Sequence, residues 1–170
     1  MADNIANTGS SASSATEAIR RRRDTIRAAT KGGGRSKVPG DERVFVAYAR
    51  EDKEPTRKLV QRLRGSGADV MWDEDFAAGC DIDMTIREAI AGAKAVIVVW
   101  SMHSAHSRFV RDEASLALKD NKLLPTHVEG FDPEDVPMGF GTLHTVAMET
   151  PGLVETSLAS YGIALEANKT

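Results

Sequence analysis

The sequence predicts an α/β domain in which a parallel β-sheet is covered by helices on both faces. Short apolar runs rich in β-branched residues alternate along the chain with stretches whose apolar residues recur at helical spacing. The strongest run, Ala93 to Trp100, is interrupted only by Lys94, as expected of a strand buried on both faces. Five such strands alternating with helices predict an open, flavodoxin-like, three-layer fold with a five-stranded parallel sheet.

The first strand and the first helix follow the N-terminal segment. The run RVFVAYA (43–49) is rich in β-branched and aromatic residues and predicts a buried strand. The next segment, 51–67, places Leu59, Val60 and Leu63 on one face and ends in Gly-Ser-Gly, which is typical of a helix and its stop.

The other elements follow from the same two patterns. In chain order they are a strand at 68–73, a helix at 84–93, a strand at 94–101, a helix at 107–120, strands at 122–129 and 143–148, and a helix at 152–163.

The helix at 107–120 is amphipathic, and its faces can be predicted from its spacing. We expect Phe109, Val110, Ala114 and Leu118 to face the sheet, and Arg111 and Asp112 to face water. Glu113 lies four residues after Phe109, so the two side chains project from the same side of the helix.

The composition indicates a soluble domain with tails. The chain has 170 residues, of which 41% are hydrophobic and 28% charged. From the composition we predict that residues 1–41 form a disordered, flexible basic tail, that residues 42–165 form the folded domain, and that residues 166–170 form a C-terminal tail. No apolar run approaches the roughly 20 residues of a membrane span.

Several classes of function are disfavoured by composition. The first 40 residues carry eight Lys and Arg against three Asp and Glu, a net charge of +5. Because the whole chain has a net charge of −3, the remainder carries −8. A domain with this negative charge is a poor candidate for binding nucleic acid. A single cysteine, Cys80, forms no internal disulfide and fits the cytoplasm. The four histidines show no metal-ligand spacing, so we predict no metal site.

Polar and aromatic residues follow three of the predicted strands. Parallel sheets of this kind bind ligands beyond the carboxyl ends of their strands. That edge carries Tyr48 and Arg50, then Trp72 and Asp73, then Ser101. The acids after the second strand are candidates for catalysis or cation binding, or are solvated loop residues.

Two loops have expected structural features. Gly79 predicts a positive φ in the loop after the second strand. Ser104 and Ser107 are expected to serve the turn and the cap of the helix at 107–120.

Three segments in order resemble the boxes of Toll/interleukin-1 receptor (TIR) domains. VFVAYAREDK is similar to the first box, VMWDEDFAAGCDIDMTIREAI to the second strand with its long loop, and VIVVWSMHSAHSRFVRDEA to the third strand and an aromatic-Val-x-x-Glu helix. The resemblance covers about Arg43 to Ile163 and is closer to bacterial TIR proteins than to animal receptor adaptors.

The resemblance implies an enzyme that cleaves the nicotinamide–ribose bond of NAD⁺. The catalytic Glu of the motif corresponds to Glu113, and the aromatic position, usually Trp in the cleaving members, is Phe109. NAD⁺ is then a substrate, no cofactor is required, and the products are nicotinamide and ADP-ribose or cyclic ADP-ribose. The predicted substrate-binding residues are Tyr48, Arg50, Trp72, Asp73, Ser101 and Phe109.

The resemblance also implies a setting and partners. Other TIR domains are the expected partners, with a homo-oligomer as the active form. The expected role is bacterial defence or interference with host signalling, in the cytoplasm or after delivery to a host cell.

Two further hypotheses compete with the enzyme. One is a non-catalytic TIR module that acts by binding other TIR domains. The other is a phosphoacceptor receiver, which shares the sheet but needs an Asp at the end of the third strand, where this chain has Trp100 and Ser101.

Overall fold

The computed structural model describes residues 42–165, and the predicted basic tail (1–41) and C-terminal tail (166–170) lie outside the described residues. The parallel sheet is confirmed. Five strands lie in the order β2-β1-β3-β4-β5, and every neighbouring pair is parallel, which is the flavodoxin-like order. The strands are β1 (Arg43–Ala47), β2 (Asp69–Met71), β3 (Ala95–Trp100), β4 (Leu123–His127) and β5 (Val146–Ala147).

Helices connect these strands. All four predicted helices are confirmed, and one short helix, between β3 and the helix predicted at 107–120, was missed. Within residues 42–165 the α-helices are α1 (Lys53–Gly65), α2 (Ile82–Gly92), α3 (Met102–His106), α4 (Arg108–Lys119) and α5 (Leu153–Ala159), and single 3-10 turns occur at Arg50–Asp52, Asp73–Asp75 and Pro133–Asp135. No helix of this part of the chain is long and apolar enough to span a bilayer.

The sheet separates two apolar layers. Successive side chains of β1 point to opposite faces, so Val44 and Val46 pack with α1 and α5 while Phe45 and Ala47 pack with α2 and α4. All six residues of β3 are buried, which confirms the prediction of a strand covered on both faces.

Helix α4 buries a narrower stripe than predicted. The fully buried residues are Val110, Ala114 and Ala117. The expectation that Phe109 faces the sheet was wrong, since its side chain is 69% exposed. It lies about 100° around the helix from Val110, and the packing of the first turn does not extend that far.

Two turns at the carboxyl edge of the sheet are joined by a buried hydrogen bond. The Ser101 hydroxyl donates to Oδ2 of Asp52 at 2.5 Å, and the two residues are 3% and 7% exposed. The same hydroxyl accepts from the backbone N–H groups of His103 and Ser104, and so caps α3. The turn before α1 is thereby fixed to the turn after β3.

Truncation of the Asp52 carboxylate is expected to destabilise the fold by about 1–2 kcal/mol, because the buried Ser101 hydroxyl loses its acceptor. Asp52→Asn keeps an acceptor oxygen and should lose less. Urea unfolding of Asp52→Ala beside Glu51→Ala, an exposed neighbour expected to stay within about 0.5 kcal/mol of wild type, measures the effect. Equal free energies of unfolding for the two alanine variants would contradict this role.

Candidate active site

A pocket lies at the carboxyl edge of the sheet, where β1 ends. Its floor is formed by the segment Phe45–Tyr48, and its walls by Asp73 after β2, Ile86 of α2 and Glu113 of α4. The pocket is partly open to solvent, and its volume of about 50 Å³ leaves room for only a few water molecules. A ligand larger than this would therefore place only part of itself inside and extend over the rim.

The Tyr48 side chain fixes one wall of the pocket. Its hydroxyl donates to Oδ1 of Asp73 at 2.5 Å. Its ring packs on buried Trp72, with 5.7 Å between ring centroids. Burial raises the pKa of Tyr48, and the hydrogen bond to Asp73 raises it further. Tyr48 is therefore a neutral hydrogen-bond donor at physiological pH.

The segment that carries Asp73 is held by α1. The Arg64 guanidinium contacts Oδ2 of Asp75 at 2.6 Å and the Val70 carbonyl at 2.8 Å. The Lys53 ammonium pairs with Glu74 at 2.8 Å. Both residues that follow Asp73 are thus anchored on the same helix, which keeps Asp73 at the pocket.

Glu113 is the one pocket residue of α4. Its side chain is half-buried, and within residues 42–165 its carboxylate makes no hydrogen bond or ion pair. Burial raises the pKa of Glu113 to about 7, with further contributions from the negative charges of Asp73, Asp83 and Asp112. A buried carboxylate without a partner is costly to keep, and such perturbed groups in clefts are concentrated at functional sites.

The structure brings together three of the predicted site residues, Tyr48, Asp73 and Glu113. The indole of Trp72 supports Tyr48 from behind and is only 6% exposed, so it shapes the pocket without lining it. Arg50 is exposed, two residues beyond Tyr48, and close enough to influence its pKa.

Two predicted substrate contacts lie elsewhere. Ser101 does not line the pocket, because its buried hydroxyl is taken up by Asp52 and by the cap of α3. Phe109 also does not line it, and its exposed ring lies one turn, about 6 Å along the axis, before Glu113.

The predictions for Ser104, Ser107 and Gly79 in the loops are confirmed. Ser104 donates and accepts within the cap of α3, and Ser107 caps α4 by accepting from the Val110 N–H. Gly79 has a φ of 81°, as predicted. Within residues 42–165 no cluster of three or more His, Cys, Asp or Glu side chains is arranged to hold a metal ion.

Sequence reasoning missed the apolar part of the pocket. Phe45 and Ala47 share one face of β1 by the two-residue period, and Ile86 lies four residues before the buried Ile90, on the same side of its helix. These signals are present in the sequence but predict only core packing. Nothing in the local pattern shows that the core ends here in an open pocket.

A parallel sheet in this order, with helices on both faces, defines a flavodoxin-like α/β domain, and an acid-lined pocket lies where its strands end. The family comparison identifies the kind of domain. The TIR domain family matches residues 44–157, so this chain belongs to the TIR domain family. No curated protein sequence matches the chain.

Solved structures of other TIR proteins have similar folds. The TIR domain of the Toll-related receptor TRR-2 from Hydra magnipapillata is 19% identical, with a TM-score of 0.59, and the match covers 70% of this chain and 97% of that one. A TIR-STING receptor from C. gigas in complex with 2',3'-cGAMP is 24% identical, with a TM-score of 0.55, over 68% of this chain and 38% of the receptor.

A third structure is that of the TIR domains of the activated Roq1 resistosome, which recognises the pathogen effector XopQ. It is 22% identical, with a TM-score of 0.49, and covers 55% of this chain. The match spans 60% of the Roq1 chain. For the Hydra and C. gigas structures, the likeness at these identities concerns the fold.

Proposed function

We propose that this TIR domain is an NAD⁺ glycohydrolase that cleaves the nicotinamide–ribose bond, with Glu113 as the catalytic carboxylate. The observation that carries the proposal is the unpaired, half-buried Glu113 in a pocket at the ligand edge of the sheet. Membership of the TIR family supports it, because the segment from Phe109 to Glu113 resembles the aromatic-Val-x-x-Glu motif of the cleaving members.

The chemistry of the leaving group explains why one carboxylate suffices. Nicotinamide is a cation within NAD⁺ and departs as a neutral molecule, so it needs no proton. The carboxylic acid that protonates the leaving oxygen in most glycosidases is then unnecessary. The ionised Glu113 stabilises the positive charge that develops on the ribose, or attacks the anomeric carbon.

We assign roles to Tyr48, which lines the pocket, and to two exposed residues near it in the sequence. Tyr48 presents an aromatic ring to the departing nicotinamide. Arg50, exposed two residues beyond Tyr48, contacts the diphosphate in this proposal. Phe109 offers an exposed apolar surface one turn before Glu113.

The products are nicotinamide and ADP-ribose, linear or cyclic, and the setting we propose is bacterial defence or interference with host signalling. A second candidate function is a non-catalytic module that binds other TIR domains. The exposed apolar side chains of Met102 in α3 and Phe109 in α4, 55% and 69% accessible, favour a protein contact that involves these two helices. The two functions are compatible if the active form is a homo-oligomer.

The purified protein is expected to release nicotinamide from NAD⁺, with a specific activity that rises with protein concentration if association completes the site. Chromatography of the products at several protein concentrations measures this. NADH is the matched control substrate, since its dihydronicotinamide is uncharged and should not be released. Absence of nicotinamide release at every concentration, with self-association detected by light scattering, would favour the scaffold function instead.

A further inference from the structure

The pocket combines two carboxylates with an apolar floor. Asp73 and Glu113 both line it, and no Lys or Arg of residues 42–165 is among its lining residues. Like charges in a shared, partly dry site oppose each other's ionisation. An empty pocket of this kind favours the acid form of one carboxyl group, and a cation inside it favours the ionised form of both.

Asp73 is fixed in this arrangement. Its Oδ1 accepts from the Tyr48 hydroxyl, and Tyr48 rests on the buried Trp72. The ion pairs of Glu74 and Asp75 with α1 hold the segment from the other side. The negative charge of Asp73 therefore stays near Glu113 and is not withdrawn by a simple side-chain rotation.

The groups that act on Glu113 come from each element around it. Burial contributes most to its raised pKa, followed by Asp73 after β2, Asp83 of α2 and Asp112 of α4 itself. Tyr48, from the end of β1, faces the same pocket as a neutral group. The resulting pKa of about 7 leaves Glu113 protonated in a large fraction of molecules at neutral pH.

We propose that Asp73, held by Tyr48, is a positioning residue that couples the charge of Glu113 to the charge of the substrate. An N-glycosylated pyridinium cation entering the pocket displaces the proton of Glu113 to solvent and so meets an ionised carboxylate. The uncharged dihydropyridine of a reduced dinucleotide provides no such stabilisation and leaves the proton in place. The inference rests on the proposed function and extends it to the selection of the oxidised over the reduced substrate.

Calorimetry of the intact protein tests the coupling without turnover. The probe is the carbocyclic analogue of NAD⁺, in which a methylene group replaces the ribose ring oxygen, so that the charge is kept and the bond is not cleaved. Binding enthalpies in buffers of different ionisation enthalpy at pH 7 should show release of about 0.5 proton per site, since a group with its pKa near the pH is half protonated. Glu113→Gln and, separately, NADH as ligand should show none.

Asp73→Asn is the informative variant. It should reduce the proton release to less than about half of the wild-type value. It should also shift the acid limb of the pH profile of kcat/KM for NAD⁺ to lower pH by about 0.5–1 unit, and it should raise KM. Glu129→Gln is the matched control, because it removes one carboxylate from an exposed residue that does not line the pocket, and it should leave the proton release and the acid limb unchanged. A merely structural role of Asp73 would lower activity without moving the acid limb.

The outcomes separate the coupling from the proposed function. In one outcome, cleavage of NAD⁺ depends on Glu113, but Asp73→Asn leaves the proton release and the acid limb unchanged. That result would overturn the coupling and leave the proposed enzymatic function standing. In another outcome, the analogue releases a proton on binding and Asp73→Asn reduces that release, but the wild type does not cleave NAD⁺. That result would support the coupling and overturn the proposed reaction. No proton release by the wild type would overturn the coupling directly.

Discussion

Glu113→Gln is expected to lower nicotinamide release from NAD⁺ by roughly 10²–10³-fold, the usual effect of removing a group that stabilises charge in the transition state. The amide has nearly the same shape as the carboxylate but carries no negative charge. It can neither stabilise an oxocarbenium-like ribose nor attack it. Steady-state assays at saturating NAD⁺ measure kcat, where a group that acts on the transition state has its effect.

The neighbouring acid provides the control for Glu113. Asp112 has an exposed side chain that lies 3.7 Å from Arg108 across one helical turn. Asp112→Asn removes one carboxylate from the same helix outside the pocket, and its activity should stay within about twofold of wild type, as for other exposed pairs. Equal losses in the two variants, or unchanged release in Glu113→Gln, would remove Glu113 from the mechanism.

Glu113→Gln is also expected to make the protein more stable at alkaline pH. Folding raises the pKa of Glu113 from 4.5 to about 7, and each unit corresponds to about 1.4 kcal/mol. A raised pKa means that the stability from this group is fully present below pH 4.5 and is lost as the pH rises through 7. At pH 8 the ionised wild-type side chain therefore destabilises the fold, and Glu113→Gln should be more stable by about 2–3 kcal/mol.

Urea unfolding at pH 8 and at pH 4.5 checks this sign. The difference between wild type and Glu113→Gln should shrink towards zero at the lower pH, where both side chains are mostly neutral. Asp112→Asn should show no comparable gain at pH 8, because its side chain is 61% exposed and solvated whether or not the protein is folded. A Glu113→Gln variant that is less stable than wild type at pH 8 would show that the carboxylate is favourably solvated in the pocket.

The fold is largely predictable from sequence because burial controls its pattern. The uninterrupted apolar run of β3 and the spacing of Leu59, Val60 and Leu63 in α1 correspond to buried faces in the structure. The short helix α3 was missed because five residues are too few for a helical period to show. Its first turn is capped by the Ser101 side chain.

The site is less predictable because its geometry depends on contacts between distant residues. Glu113 was proposed from a resemblance, since helical spacing alone does not distinguish it from Asp112. The bond from Ser101 to Asp52 joins residues 49 positions apart, so no local pattern indicates that the Ser101 hydroxyl is already engaged. The helical period predicts that Phe109 is a core residue, yet the buried face of α4 begins one residue later, at Val110.

The floor of the pocket and the loop between two of its wall residues differ in their freedom to vary. The floor is β1, which has a parallel neighbour on each side and is buried along most of its length. Residues 77–81 lie in the chain between the wall residues Asp73 and Ile86, are exposed and carry little of the core. Such loops tolerate insertions and replacements far better than strands do. Changes in the length or composition of this loop are therefore expected to leave the floor of the pocket unchanged.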